Sequence, residues 1–211
     1  MIYDTTVNKI NNYIVQELDL TAKEQGRIKF GIELLISTIM SLGTTLIVAK
    51  LLGILNSVIF ISLAGVLLKQ VSGGIHFKTP WECAFFTAFF FNLLGYISFW
   101  AKESVFNNWV LFLVLSSLYI IISLFLWSPA DVPEKPIKDQ RQRRRLKLIS
   151  LILAIFLLIL VALLFYIYKG CFALINVSLI LGLLFQVSSI NPLAYKLCNL
   201  YYRVKVKFVS K

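Results

Sequence analysis

Long uninterrupted apolar blocks constrain this chain more than any other feature. Six can be read, over residues 30–49, 51–68, 84–101, 109–127, 148–168 and 171–190. About 20 apolar residues suffice to carry a helix across a hydrocarbon core of about 30 Å. In lipid every backbone N–H and C=O must be satisfied within the segment, so such blocks can only be helices. The expected fold class is therefore all-α: a polytopic integral membrane protein with six transmembrane helices in a single domain over 1–211. A soluble domain would need far more polar surface than a chain that is 59% hydrophobic provides. Blocks one and two meet around Lys50 and Gly53, and blocks five and six around Lys169 and Gly170, so each pair is expected to form a helical hairpin. Residues 1–29 are polar and mixed in charge, unlike a cleavable signal peptide.

The net charge of +11 raises nucleic acid as a partner, but position argues otherwise. With both termini cytoplasmic, the inner segments 1–29, 69–83, 128–147 and 191–211 hold 18 of the 21 Lys and Arg residues. That is the asymmetry by which basic loops orient a membrane protein. No nucleic-acid partner is expected, and 191–211 reads as a basic cytoplasmic tail. At the N-terminus, Val7, Ile10, Ile14 and Leu18 recur at helical steps, as on an interfacial helix or a frayed amphipathic tail. Thr21 with Glu24 reads as a capping box leading into the first span.

Two inner segments carry chemistry. The first runs Ser72-Gly-Gly-Ile-His-Phe-Lys-Thr-Pro-Trp-Glu-Cys83. Gly73 and Gly74 break the preceding helix, giving a re-entrant-like loop. Thr79, Pro80 and Glu82 then fit the N-cap, first helical position and capping-box acid of the next helix. Cys83 thus falls in a first helical turn, where positive backbone charge favours a thiolate. His76, the one histidine, precedes it by seven residues. A continuous helix would hold the two about 10 Å apart, but a glycine hinge lets the loop fold back and bring imidazole to sulfur. A Cys–His pair within hydrogen-bond reach is the minimum equipment of a thiol protease. The plainer alternatives are a packing cysteine and a polar lining histidine. Three cysteines and one histidine make neither a disulfide framework nor a metal set, so no cofactor is expected.

The second segment begins Ser128-Pro-Ala-Asp-Val-Pro-Glu-Lys-Pro-Ile137, too rich in proline to be helical, and ends in Arg141, Arg143, Arg144, Arg145 and Lys147. The cluster reads as a topology anchor touching anionic headgroups, and equally as a docking surface for an acidic peptide.

The first segment resembles the Gly-Gly-x-His-Ala-x-(five residues)-Cys signature of the accessory gene regulator B family, the AgrB membrane peptidases of Gram-positive quorum sensing. The proline loop is similar to a second motif of that family. Phe77 stands where Ala is usual, and Glu134 where Asn is usual. The resemblance implies His76 as base and Cys83 as nucleophile of a cysteine endopeptidase in the cell membrane. Its substrate would be an AgrD-like precursor peptide, whose signal portion is left as an acyl-enzyme thioester and then cyclised to a thiolactone or lactone. Substrate contacts are expected from Lys69, Gly73, Gly74, Glu82, Lys135 and the four arginines, and a homodimer is implied. The competing reading is a transporter or export component, with Asn92, Asn176 and Gln186 lining a path.

Overall fold

The computed structural model describes residues 2–17, 21–75, 77, 79–130, 137, 139–168 and 172–209. Among the described residues eight helices follow one another: α1 Ile2–Glu17, α2 Ala22–Leu51, α3 Leu55–Ser72, α4 Pro80–Asn107, α5 Trp109–Trp127, α6 Gln140–Tyr168, α7 Ala173–Ser189 and α8 Pro192–Val209. Among the described residues there is no strand.

Helices α2 to α6 are each long and apolar enough to cross a membrane, and α7 reaches that standard only together with α8, from which it is bent by 69°. The chain is a multi-pass membrane protein. Large apolar side chains such as Phe89, Leu118, Ile152 and Phe156 stay exposed on the outside of the bundle, where lipid takes the place of water. At 1.5 Å per residue α4 and α6 run to about 42 and 44 Å, well beyond the hydrocarbon core. Their excess lengths carry the polar ends.

Local signals explain the boundaries. Thr21 and Glu24 form the expected capping box, with the Thr21 N–H donating to Glu24 Oε2 at 2.9 Å. A short turn after Leu51 closes the α2–α3 hairpin. Asp139 caps α6, accepting from the Arg141 N–H at 2.9 Å. α1 is helical and lies against α2, with Val7 buried; Leu18 lies outside the described residues.

The core sits where α3 and α7 run side by side, flanked by α4 on one side and by α5 and α6 on the other. Lipid gives helices no hydrophobic reason to associate, so close packing of small residues must do it. Gly182 of α7 supplies the closest approach: a Cβ there would overlap the Ile61 carbonyl of α3 and crowd Ala64.

The segment expected as a basic tail forms a helix over Pro192–Val209. Pro192 occupies its first position, and Asn191 caps it by accepting the Leu193 N–H at 2.9 Å. Leu193, Leu197, Leu200 and Val204 recur at four- and three-residue steps and are exposed together, forming one apolar stripe. The 69° bend carries α8 across the end of the bundle where α3 stops and α4 begins.

Candidate functional site

Cys83 sits in the first turn of α4, half-buried and as a free thiol. Thr79 is the N-cap: its hydroxyl accepts the Glu82 N–H at 3.3 Å, its carbonyl accepts the Cys83 N–H at 3.1 Å, and its own N–H donates to Glu82 Oε2 at 3.3 Å. Pro80 occupies the first helical position and has no N–H to satisfy. The capping box therefore takes up the amides of residues 79 and 82, and the Cys83 amide makes the first bond of the helix itself. Among the described first-turn donors, the Trp81 N–H takes part neither in the cap nor in that bond.

The loop before α4 is held from three directions. Gly73 has φ +72° and ψ −152°, a region closed to residues with a Cβ. It pairs in a single parallel bridge with Ala130, whose N–H donates to the Ser72 carbonyl at 2.8 Å. Gly74, at φ +136°, lies against Ser189 and Gln186 of α7. Gln186 donates through Nε2 to the Gly73 carbonyl at 2.7 Å and to Ser72 Oγ at 3.0 Å. On the helix side, Lys69 reaches over the end of α3 and donates through Nζ to the Ile75 carbonyl at 3.3 Å. Phe77 stacks flat on Phe86 of α4, with centroids 4.4 Å apart and planes 1° from parallel. Phe86 follows Cys83 by one helical turn. His76 itself lies outside the described residues; of its neighbours, Ile75 accepts from Lys69 and Phe77 stacks on Phe86, one turn beyond Cys83.

Glu82 has more partners than a helix cap requires. Beyond Thr79 it accepts from Tyr202 Oη at 2.9 Å, Tyr201 Oη at 3.2 Å and Lys205 Nζ at 2.5 Å, all from α8. The carboxylate is buried, so this charge and these donors offset its desolvation.

The Gly73–Gly74 loop, the helix-start cysteine and Ala130 stand at one end of the bundle, and the order of their motifs along the chain matches a known pattern. The family model described as Accessory gene regulator B matches residues 7–190. The chain belongs to the accessory gene regulator B family. Its AgrB-like relatives include a Listeria innocua protein, 30% identical over 183 residues that cover 86% of this chain and 84% of that protein. One from Listeria monocytogenes serotype 4a is 29% identical with the same coverage, and one from Clostridium acetobutylicum is 24% identical over 97% of this chain and 94% of its own length. No solved structure shows significant similarity. Membership supports a role in the accessory gene regulator quorum-sensing system.

In this AgrB family chain, the two motifs read from the sequence are joined physically by the Gly73–Ala130 bridge, a link that no spacing pattern reveals. Arg141, Arg143, Arg144 and Arg145 fill the exposed first turns of α6. Cations at a helix N-terminus oppose the macrodipole, so their clustering is not a device for stabilising α6. Lys135 and most of the proline loop, like Cys171, lie outside the described residues. Of the polar residues that a transporter path would use, Gln186 is spent on bracing Gly73, and Asn92 donates to the Thr45 and Ala88 carbonyls. Tyr201, Tyr202 and Lys205 were missed by sequence reasoning, although the Leu193–Leu197–Leu200–Val204 periodicity marked their helix.

Proposed function

We propose that this protein is a membrane-embedded cysteine endopeptidase that removes the C-terminal tail of an AgrD-like precursor and leaves the signal portion as a thioester on Cys83. The observation that carries the reading is the stacking of Phe77, the residue after His76, on Phe86, one turn beyond Cys83. It supports a loop folded back onto the helix start, as proton transfer between His76 and Cys83 requires.

In the reaction His76 takes the Cys83 proton, and the thiolate attacks the carbonyl carbon at the junction between signal and tail. The tetrahedral oxyanion needs donors already in place. The Trp81 N–H, outside the cap, is the first-turn amide available for it. Collapse breaks the C–N bond, and the imidazolium returns its proton to the leaving amine. A thiol or hydroxyl within the substrate then attacks the thioester, forms the cyclic product and releases Cys83 as a thiol. Thiol exchange of an acyl group is close to balanced in free energy, whereas water would discard its activation. That is a reason for a cysteine at a site with restricted water.

The exposed arginines of α6 suit an acidic leaving tail and anionic headgroups, and the distribution of basic residues supports a cytoplasmic site end. Co-reconstitution with a candidate precursor in vesicles tests the whole reading. Wild type cuts; Cys83→Ala and His76→Ala do not; Cys198→Ala does. Cleavage by either of the first two variants refutes the dyad.

A further inference from the structure

We propose that α8 is a strap that positions the first turn of α4, with Tyr202 and Lys205 as positioning residues acting through Glu82. The proposal rests on the peptidase reading for its consequence, though not for its geometry.

Glu82 adjoins Cys83 in sequence, so whatever fixes its carboxylate fixes the turn that carries the sulfur. The cap accounts for a single donor, the Thr79 N–H. Three more come from a helix about 120 residues further along the chain: Tyr201 and Lys205 on Oε1, and Tyr202 on Oε2. Both carboxylate oxygens are thereby engaged by α8, which fixes the group's rotation as well as its location. A carboxylate that served only as a cap would be better left facing water, since burial costs it solvation.

The same helix also touches the other half of the site. The Tyr201 ring meets Phe86 edge-on at 5.3 Å and Phe77 edge-on at 6.3 Å. One turn of α8 therefore contacts the loop residue after His76, the residue before Cys83, and the aromatic ring between them. Neither half moves against the other without displacing α8. The exposed stripe of Leu193, Leu197, Leu200 and Val204 lies on a different side of α8 from Tyr202, which leaves the clasp facing the bundle.

A side chain that only stabilises the fold would lower the amount of active protein and leave the behaviour of the remainder unchanged. A positioning residue changes the turnover of folded protein. The test uses the full chain in vesicles with a candidate precursor, comparing wild type with Lys205→Met, Lys205→Arg and Tyr202→Phe. Turnover is normalised to folded protein by size-exclusion chromatography. Alkylation of Cys83 by N-ethylmaleimide is followed in parallel by peptide mass mapping. Lys205→Met is expected to lower kcat about 10-fold with KM within about twofold, the scale of a modest misplacement of a reacting group. Tyr202→Phe moves the same way by less, and Lys205→Arg, which keeps the charge, returns to within about twofold of wild type. Cys83 alkylation follows the same order. Should Lys205→Met not fold, Tyr202→Phe, which loses one oxygen atom, carries the comparison. Wild-type turnover and alkylation in the variants overturn the strap, as does a loss confined to KM or one that Lys205→Arg fails to restore. Absence of cleavage by wild type overturns the peptidase reading instead, and the alkylation series then decides the strap alone.

Discussion

Replacing Gly73 with alanine perturbs the junction between the two motifs at a single atom. With φ +72° and ψ −152°, Gly73 lies in a backbone region used almost solely by glycine, and forcing another residue into it costs about 1–3 kcal/mol. The new Cβ would also overlap the Ala130 carbonyl oxygen, with the rest of the Ala130 backbone close behind. Relief requires the two segments to part, which sacrifices the bond from the Ala130 N–H to the Ser72 carbonyl, about 1 kcal/mol net. The total is a destabilisation of about 2–4 kcal/mol, together with a shift of the loop away from α4. Equilibrium unfolding in mixed micelles measures the first effect, and precursor cleavage per folded molecule measures the second. Gly43→Ala is the matched control, since its Cβ meets nothing within 4 Å. In the interior of α2 it is expected to be neutral or to stabilise by up to about 1 kcal/mol. If Gly73→Ala unfolds with wild type and cuts at its rate, the bridge does not hold the loop.

Three further perturbations probe neighbouring contacts. Gln186→Leu removes both bonds that brace Ser72 and Gly73 and leaves the Gly73 carbonyl short of a donor; unfolding should show a loss of about 2–4 kcal/mol, and cleavage should fall with it. Thr79→Ala deletes the cap hydroxyl and should cost about 1 kcal/mol in the same assay, with Thr79→Ser close to wild type. Neutralising Arg141, Arg143, Arg144 and Arg145 to glutamine should raise KM for an acid-tailed precursor by about 10-fold, leave kcat unchanged and flatten the dependence on salt. Unchanged KM at low salt would show that the substrate tail does not use this cluster.

Much of this architecture is legible in the sequence, because the deciding signals are local. Apolar blocks of bilayer length gave the spans, Thr21–Glu24 and Thr79–Pro80–Glu82 gave two helix starts, and Gly73–Gly74 gave the break. What escaped was non-local. The clasp of Tyr201, Tyr202 and Lys205 on Glu82 joins residues about 120 positions apart, and no periodicity encodes such a pairing. Five basic residues drew attention to charge in 191–211, although Asn191, Pro192 and the leucine stripe held a helix signal. Gln186 looked like polar lining in a span and proved to be a brace on the loop.

The account turns on covalent capture by Cys83. Wild-type protein mixed with a candidate precursor, quenched in acid within the first turnover and weighed intact, should carry an adduct equal to the signal portion without its tail. That adduct should map to Cys83, be removed by hydroxylamine and be absent from His76→Ala. Tail release with no adduct on wild type, undiminished in Cys83→Ala, would contradict it.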